Sequence, residues 1–237
     1  MNGLAGETEG TVPRRSRGPG ERAAALALAG GGLVATFGSA GTLRWPAGWM
    51  LVAALAAGLA AHGAYVRARN PGLAGRRARV GPGTARWDLA WLWVFWPLVL
   101  AGPVLGGLET VRLGRGSLPP AWAVAGGALL IAGLALSARA MAVNPYFEGT
   151  ARLQPGQRVV DAGPYRVMRH PGYAGLALMV LGGSALLRSR WALAAGASGA
   201  AWVALRTALE DRMLRAGLAG YGAYARRVRH RLVPGVW

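Results

Sequence analysis

The sequence predicts an all-α, polytopic integral membrane protein with about five or six transmembrane helices and a polar C-terminal region on the cytoplasmic side. Three observations carry that expectation. Apolar residues make up 53% of the 237 and charged residues only 15%, where a soluble domain carries about 25% charge. The apolar residues fall in blocks about twenty residues long, the length that crosses a bilayer as a helix. The basic residues fall in the connections between blocks, as in loops facing an anionic leaflet.

The net charge of +18 comes from 27 basic residues, all arginine, against 9 acids. A nucleic-acid surface is not expected from it. No basic helix with interleaved aromatics stands outside the apolar blocks, and lipid headgroups account for the charge. The absence of cysteine excludes disulfides, a thiol nucleophile and a cysteine metal site, and no metal is expected.

Residues 1–22, rich in Gly, Pro and Arg, read as a disordered basic tail. A four-helix transmembrane region follows over 23–143. Its first span, Ala23 to Thr42, has arginines in front and small residues behind, as a signal peptide would. It is longer than a typical signal core and another span follows at once, so a retained helix is expected. The second span runs from about Pro46 to Val66. Arg67, Arg69, Arg76, Arg77, Arg79 and Arg86 follow it in a loop marked by Asn70-Pro71-Gly72 and Gly81-Pro82-Gly83. The third, about Leu89 to Leu108, places Trp91, Trp93, Phe95 and Trp96 near one end like an interfacial belt, and tolerates Pro97 and Pro103 in a membrane. The fourth covers about Ala121 to Val143.

Residues 144–237 form the third region: a polar connection over 144–172, a helical hairpin, and a basic C-terminal end with a C-terminal helix. The hairpin pairs a short apolar run, Ala174 to Leu187, with a longer one, Trp191 to Leu209, across Arg188-Ser189-Arg190. With six crossings and the N-terminus inside, only Arg44, Arg112, Arg115, Arg188 and Arg190 of the 27 arginines fall outside. That bias puts both termini, 144–172 and 206–237 on the cytoplasmic face of the cell membrane.

Two polar constellations therefore meet on one side. Gly163-Pro164-Tyr165-Arg166-Val167-Met168-Arg169-His170-Pro171-Gly172-Tyr173 is a turn stiffened by two prolines, carrying two arginines, a histidine and two tyrosines. Arg206, Glu210 and Asp211 lie where the last apolar run ends. Arg206 and Glu210 are spaced i,i+4 and share a helix face, where an ordinary intrahelical pair is the bland reading. Ionisable groups at that depth usually face a cavity or a partner.

The 163–173 turn resembles the signature of isoprenylcysteine carboxyl methyltransferases and their bacterial relatives, and more loosely that of phospholipid N-methyltransferases. Asn144-Pro145-Tyr146-Phe147 through Gln154, Arg206-Thr-Ala-Leu-Glu210-Asp211, Gly220-Tyr221, Tyr224 and Arg231 to Trp237 resemble the same family, so the likeness covers roughly 140–237. It implies an S-adenosylmethionine-dependent methyltransferase. Gln157, Arg158, Val159, Val160, Tyr165, His170, Pro171, Gly172, Tyr173 and Glu210 would hold the cofactor. Arg206 would bind the substrate, and Arg206 and His170 would be the catalytic residues. Gln157 and Arg158 differ in type from the family pattern, Asp211 stands where a second glutamate is frequent, and His230 stands where an aromatic is usual.

The residue types suit these roles. A carboxylate matches the cofactor's α-ammonium, aromatic faces match a sulfonium or adenine, and a guanidinium fork matches an acceptor carboxylate. A carboxylate acceptor needs no general base, only alignment and removal of water. An amine acceptor would need one, for which His170 and Glu210 are candidates. The expected partners are a lipophilic methyl acceptor, prenylcysteine-like or otherwise, entering from the bilayer, and membrane lipids. The absence of a Gly-x-Gly strand–helix element excludes a Rossmann-type site. The alternatives are lipid amine methylation, a sterol-type reductase, and a non-enzymatic scaffold or transporter, which lacks the expected internal repeat.

Overall fold

The computed structural model describes residues 19–73, 83–115 and 117–237, with side chains from residue 30 onward. The tail over 1–18 and Arg76, Arg77, Arg79, Gly81 and Pro82 lie outside the described residues. The described residues are helical with no strand. The α-helices with described bounds are α1 (Pro19–Ala40), α2 (Pro46–Arg69), α3 (Arg86–Gly107), α4 (Ala121–Val143), α5 (Pro171–Leu186), α6 (Arg190–Gly217) and α7 (Tyr221–Arg227).

Among the described residues, four segments are long and apolar enough to cross a membrane: Pro46–Arg69, Arg86–Arg112, Ala121–Val143 and Arg190–Gly217. With the shorter apolar α5 beside them, they make the chain a polytopic helical membrane protein. The expected elements recur with shifted ends. Helix α1 starts at Pro19, inside the expected tail, and α6 runs on to Gly217 instead of ending near Leu209. That extension carries Glu210 and Asp211 on a helix continuous with the apolar run.

Local chemistry sets the boundaries. Proline stands at the start of α2 and α5, where its missing N–H is no loss. Ser189 caps α6 by accepting Ala192 N–H at 3.0 Å. The α5–α6 hairpin turns through Arg188 at φ 57°, an unfavourable conformation for a non-glycine residue. Two bonds to the connection before α4 hold it there: Leu118 N–H to Arg188 O at 2.8 Å and Arg188 Nε to Leu118 O at 2.6 Å.

Helices α4 and α5 approach through facing glycines. A Cβ on Gly133 would lie 2.5 Å from Gly175 O, and one on Gly182 would lie 2.5 Å from Leu130 N. Small residues let membrane helices meet backbone to backbone. Helices α3 and α6 are joined differently, by reciprocal indole bonds: Trp91 Nε1 to Trp202 O at 2.7 Å and Trp202 Nε1 to Trp91 O at 3.1 Å.

This corrects the aromatic-belt expectation in part. Trp91 and Phe95 are 2% and 3% exposed and stack on each other against Val203, whereas Trp93 and Trp96 face outward. A helix shows only one face to lipid, so alternate aromatics in one run have opposite fates.

All the polar connections the site needs gather at one end of the bundle. Asn70 Nδ2 donates to Met141 O and Asn144 O, Ala85 N–H donates to Ala151 O, and Arg169 N–H donates to His230 O.

Candidate functional site

The turn begins at Gly163, whose φ of 55° suits glycine, and makes a 3-10 turn over Gly163–Arg166. Tyr165 is buried there. Asn144 Nδ2 donates to its hydroxyl at 2.9 Å, and the Tyr224 hydroxyl donates to its carbonyl at 2.8 Å. His170 sits just before α5 and its carbonyl accepts Tyr173 N–H and Ala174 N–H. Pro171 is the first residue of α5. Gly172 must be glycine for contact, since a Cβ would lie 2.4 Å from the Phe147 ring.

Asp211 ties this turn to the end of the chain. It is 1% exposed. Its oxygens accept from Arg169 Nε at 2.7 Å, Tyr221 Oη at 2.8 Å, Arg215 Nε at 3.0 Å and Arg231 Nε at 3.1 Å. His170 Nε2 lies 3.5 Å from the same carboxylate and 3.3 Å from Tyr221 Oη. Arg169 also donates from Nη1 to Val228 O and Arg229 O, so it is an internal clamp with no free edge for a headgroup. Burial, then the Asp211 carboxylate, push the Tyr221 hydroxyl well above the ordinary tyrosine range, and burial does the same for Tyr224.

Around these groups opens a cleft of about 790 Å³, counted out to its mouth. Nine of the residues expected to hold a cofactor line it: Gln157, Arg158, Val159, Val160, Tyr165, His170, Gly172, Tyr173 and Glu210. Pro171 does not reach it; it serves as the buried start of α5. Arg206 does not line it either. The opposite wall comes from Asn144, Tyr146, Phe147, Glu148 and Arg152. Glu148 and Arg152 form a forked ion pair, Nε–Oε2 2.5 Å and Nη2–Oε1 2.7 Å. Gln154 Nε2 donates to Tyr146 O at 2.7 Å, and the Gln157 side chain accepts Gln154 N–H at 2.9 Å. These two glutamines shape the wall of the cleft.

Glu210 stands apart from the other acids at this end. Asp88, Glu148, Asp161 and Asp211 each hold at least one arginine. Among the described residues here, Glu210 alone does not; it accepts the Tyr173 hydroxyl at 2.5 Å. The intrahelical ion pair with Arg206, one turn earlier, that the i,i+4 spacing suggests is not formed.

Arg206 is instead paired with Asp88 of α3. Arg206 Nε lies 2.8 Å from Asp88 Oδ1, and Nη2 donates to Asp88 Oδ2 and to Gly149 O, both at 3.0 Å. The guanidinium carbon lies 4.5 Å from the Trp91 ring centre and 5.1 Å from that of Tyr173, each within cation–π range. Asp88 Oδ2 also accepts Ala151 N–H at 2.7 Å. Asp88 was not singled out from the sequence: it stands in the first turn of α3 beside Arg86, where an acid is ordinary.

The model of the phospholipid methyltransferase family matches residues 122–219, from α4 to just beyond α6. No curated protein matches the chain. The matched segment contains the whole turn, Arg206, Glu210 and Asp211, and lacks Asp88. It supports a membrane methyltransferase of this broad kind.

Proposed function

We propose that this protein is an S-adenosylmethionine-dependent methyltransferase embedded in the cell membrane, acting on a lipid-soluble acceptor. The observation that carries the reading is the arginine-free carboxylate of Glu210 on the wall of the cleft, in a chain with 27 arginines. The cleft combines that carboxylate with the aromatic faces of Tyr173, Tyr165 and Phe147. These residues fit the cofactor's ammonium, sulfonium and adenine. S-adenosylmethionine, when bound, supplies an electrophilic methyl group.

Glu210 binds the ammonium and Tyr173 fixes its carboxylate. Gly172 permits close approach of the turn, and Gln157, Arg158, Val159 and Val160 form the outer wall. His170 shares Asp211 with Arg169 and lies 3.3 Å from Tyr221 Oη, which locks the turn in place. Arg206 packs against the Tyr173 ring, outside the cleft lining, where it would meet the acceptor.

Two acceptor groups are consistent with this arrangement. A carboxylate, as in a prenylcysteine-like substrate, would meet the Nη1 edge of Arg206, which takes no part in the bonds to Asp88 and Gly149. A phospholipid amine is favoured by the family match over 122–219 and by the Asp88 charge, which already neutralises Arg206. His170, next to Asp211 and Tyr221, would then take the ammonium proton. The discriminating experiment is transfer of labelled methyl from S-adenosylmethionine into lipids in proteoliposomes, followed by alkaline treatment. Base-labile label identifies an ester and a carboxyl acceptor, and base-stable label identifies an amine. No transfer to any lipid fraction would reject the proposal.

A further inference from the structure

Arg206 and Glu210 sit one turn apart on α6, with the spacing at which opposite charges ordinarily pair, and they do not pair. The structural reason is a third residue. Asp88 is fully buried at 0% exposure and has both oxygens on Arg206, at 2.8 and 3.0 Å. It comes from α3, outside the matched 122–219 segment.

We infer that Asp88 is a positioning residue for the cofactor site, the counter-ion that holds Arg206 away from Glu210 so that the Glu210 carboxylate stays open to a ligand's ammonium group. The inference rests on the reading of Glu210 as the ammonium-binding residue.

Three observations carry it. First, the other acids at this end of the bundle are already taken. Glu148 holds Arg152, Asp161 holds Arg227, and Asp211 holds Arg169, Arg215 and Arg231. A guanidinium released from Asp88 has Glu210 as its remaining partner. A buried cation without a counter-charge is strongly disfavoured, so that partner would be taken.

Second, Asp88 is itself fixed. The same Oδ2 that meets Arg206 accepts Ala151 N–H at 2.7 Å, and Ala151 O accepts Ala85 N–H at 3.0 Å, just before α3 begins. The reciprocal Trp91–Trp202 bonds hold α3 against α6 beside the pair. Third, Tyr173 occupies the space between the two functions. Its ring is 5.1 Å from the Arg206 guanidinium and its hydroxyl is on Glu210. A guanidinium moving to Glu210 would displace that hydroxyl.

The test is the affinity of the full-length protein in detergent for S-adenosylhomocysteine, which carries the same ammonium and does not react, measured by equilibrium dialysis. The variants are Asp88→Asn, Arg206→Gln and the pair together. Asp88→Asn is expected to weaken binding about tenfold or more, the scale of a hydrogen bond to a charged group. The double variant, which removes the intruding cation as well, is expected to return within about threefold of wild type. A role in folding alone does not predict that rescue. Wild-type affinity in Asp88→Asn would overturn the inference, and so would a double variant as weak as Asp88→Asn. No binding by the wild-type protein would instead reject the methyltransferase reading itself.

Discussion

Tyr173 and Glu210, 37 residues apart in sequence, meet across the α5–α6 hairpin through a 2.5 Å hydrogen bond in which the tyrosine donates. The bond joins the motif turn to the helix that carries the second polar constellation. It also fixes a carboxylate that no arginine claims, on the wall of the cleft that Tyr173 lines as well.

Replacing Tyr173 by Phe leaves the ring and removes the donor. S-adenosylhomocysteine binding is expected to weaken about tenfold, because a bond to a charged acceptor is worth about 1.5–3 kcal/mol. Dialysis of the purified variant checks this, and wild-type affinity would show that the hydroxyl does not orient Glu210.

Asp211 is the structural counterpart of Glu210. Its carboxylate gathers Arg169, Arg215, Arg231 and Tyr221, so Asp211→Asn leaves several buried donors and cations poorly compensated. A loss of about 3–5 kcal/mol is expected. It would appear as a lower unfolding temperature and as faster tryptic cleavage within 226–231 than in the wild-type protein.

The α4–α5 contact gives a paired prediction. Gly175→Ala puts a Cβ 2.7 Å from Gly133 O, a backbone atom that cannot move aside, whereas Gly127 has open space within 4 Å of its Cβ position. Gly175→Ala is expected to destabilise by about 1–3 kcal/mol, and Gly127→Ala to be neutral or slightly stabilising. Thermal unfolding in one detergent compares them directly.

Alkaline pH should loosen the C-terminal cap. Tyr221 and Tyr224 have raised values, so the stability their protonated, buried hydroxyls contribute is fully present below about pH 10 and is lost as pH rises through the raised values. Tyr221→Phe should flatten that loss, seen in unfolding temperature against pH. An unchanged slope would contradict the assignment.

The lack of native cysteine makes orientation testable without background labelling. Arg226→Cys, at the end bearing the cleft, is expected to react with an impermeant maleimide only after the cell membrane is opened. Leu113→Cys, at the opposite end, is expected to react in intact cells. The reverse pattern would invert the topology inferred from the arginine bias.

Much of the scaffold was legible because bilayer length and apolar runs constrain each other. The fourth span was expected at Ala121 to Val143 and is α4 to the residue. The end of α6 was legible only in part: the i,i+4 spacing put Arg206 and Glu210 on one helix, but the run to Gly217 did not show, since hydropathy reports depth and not backbone conformation. Glycines 133, 175 and 182 are a small-residue signal that hydropathy counting passes over, because glycine neither lengthens nor breaks an apolar block.

At the site, the turn and Glu210 stood out by residue type, and the cleft brings nine of the ten expected cofactor residues to one surface. The partner of Arg206 did not stand out. The i,i+4 rule ranks local pairs, and Asp88 is 118 residues away, so the competition between Asp88 and Glu210 exists only once α3 lies against α6. Trp91 was misplaced in the interfacial belt for the same reason: its bond to Trp202 O is a tertiary contact.

The most direct measurement is calorimetric titration of S-adenosylmethionine into the detergent-purified protein and into its Glu210→Ala variant. Saturable binding by the wild type, with at least tenfold weaker binding by the variant, is the predicted result. Absence of saturable binding, or equal affinity in Glu210→Ala, would contradict the account.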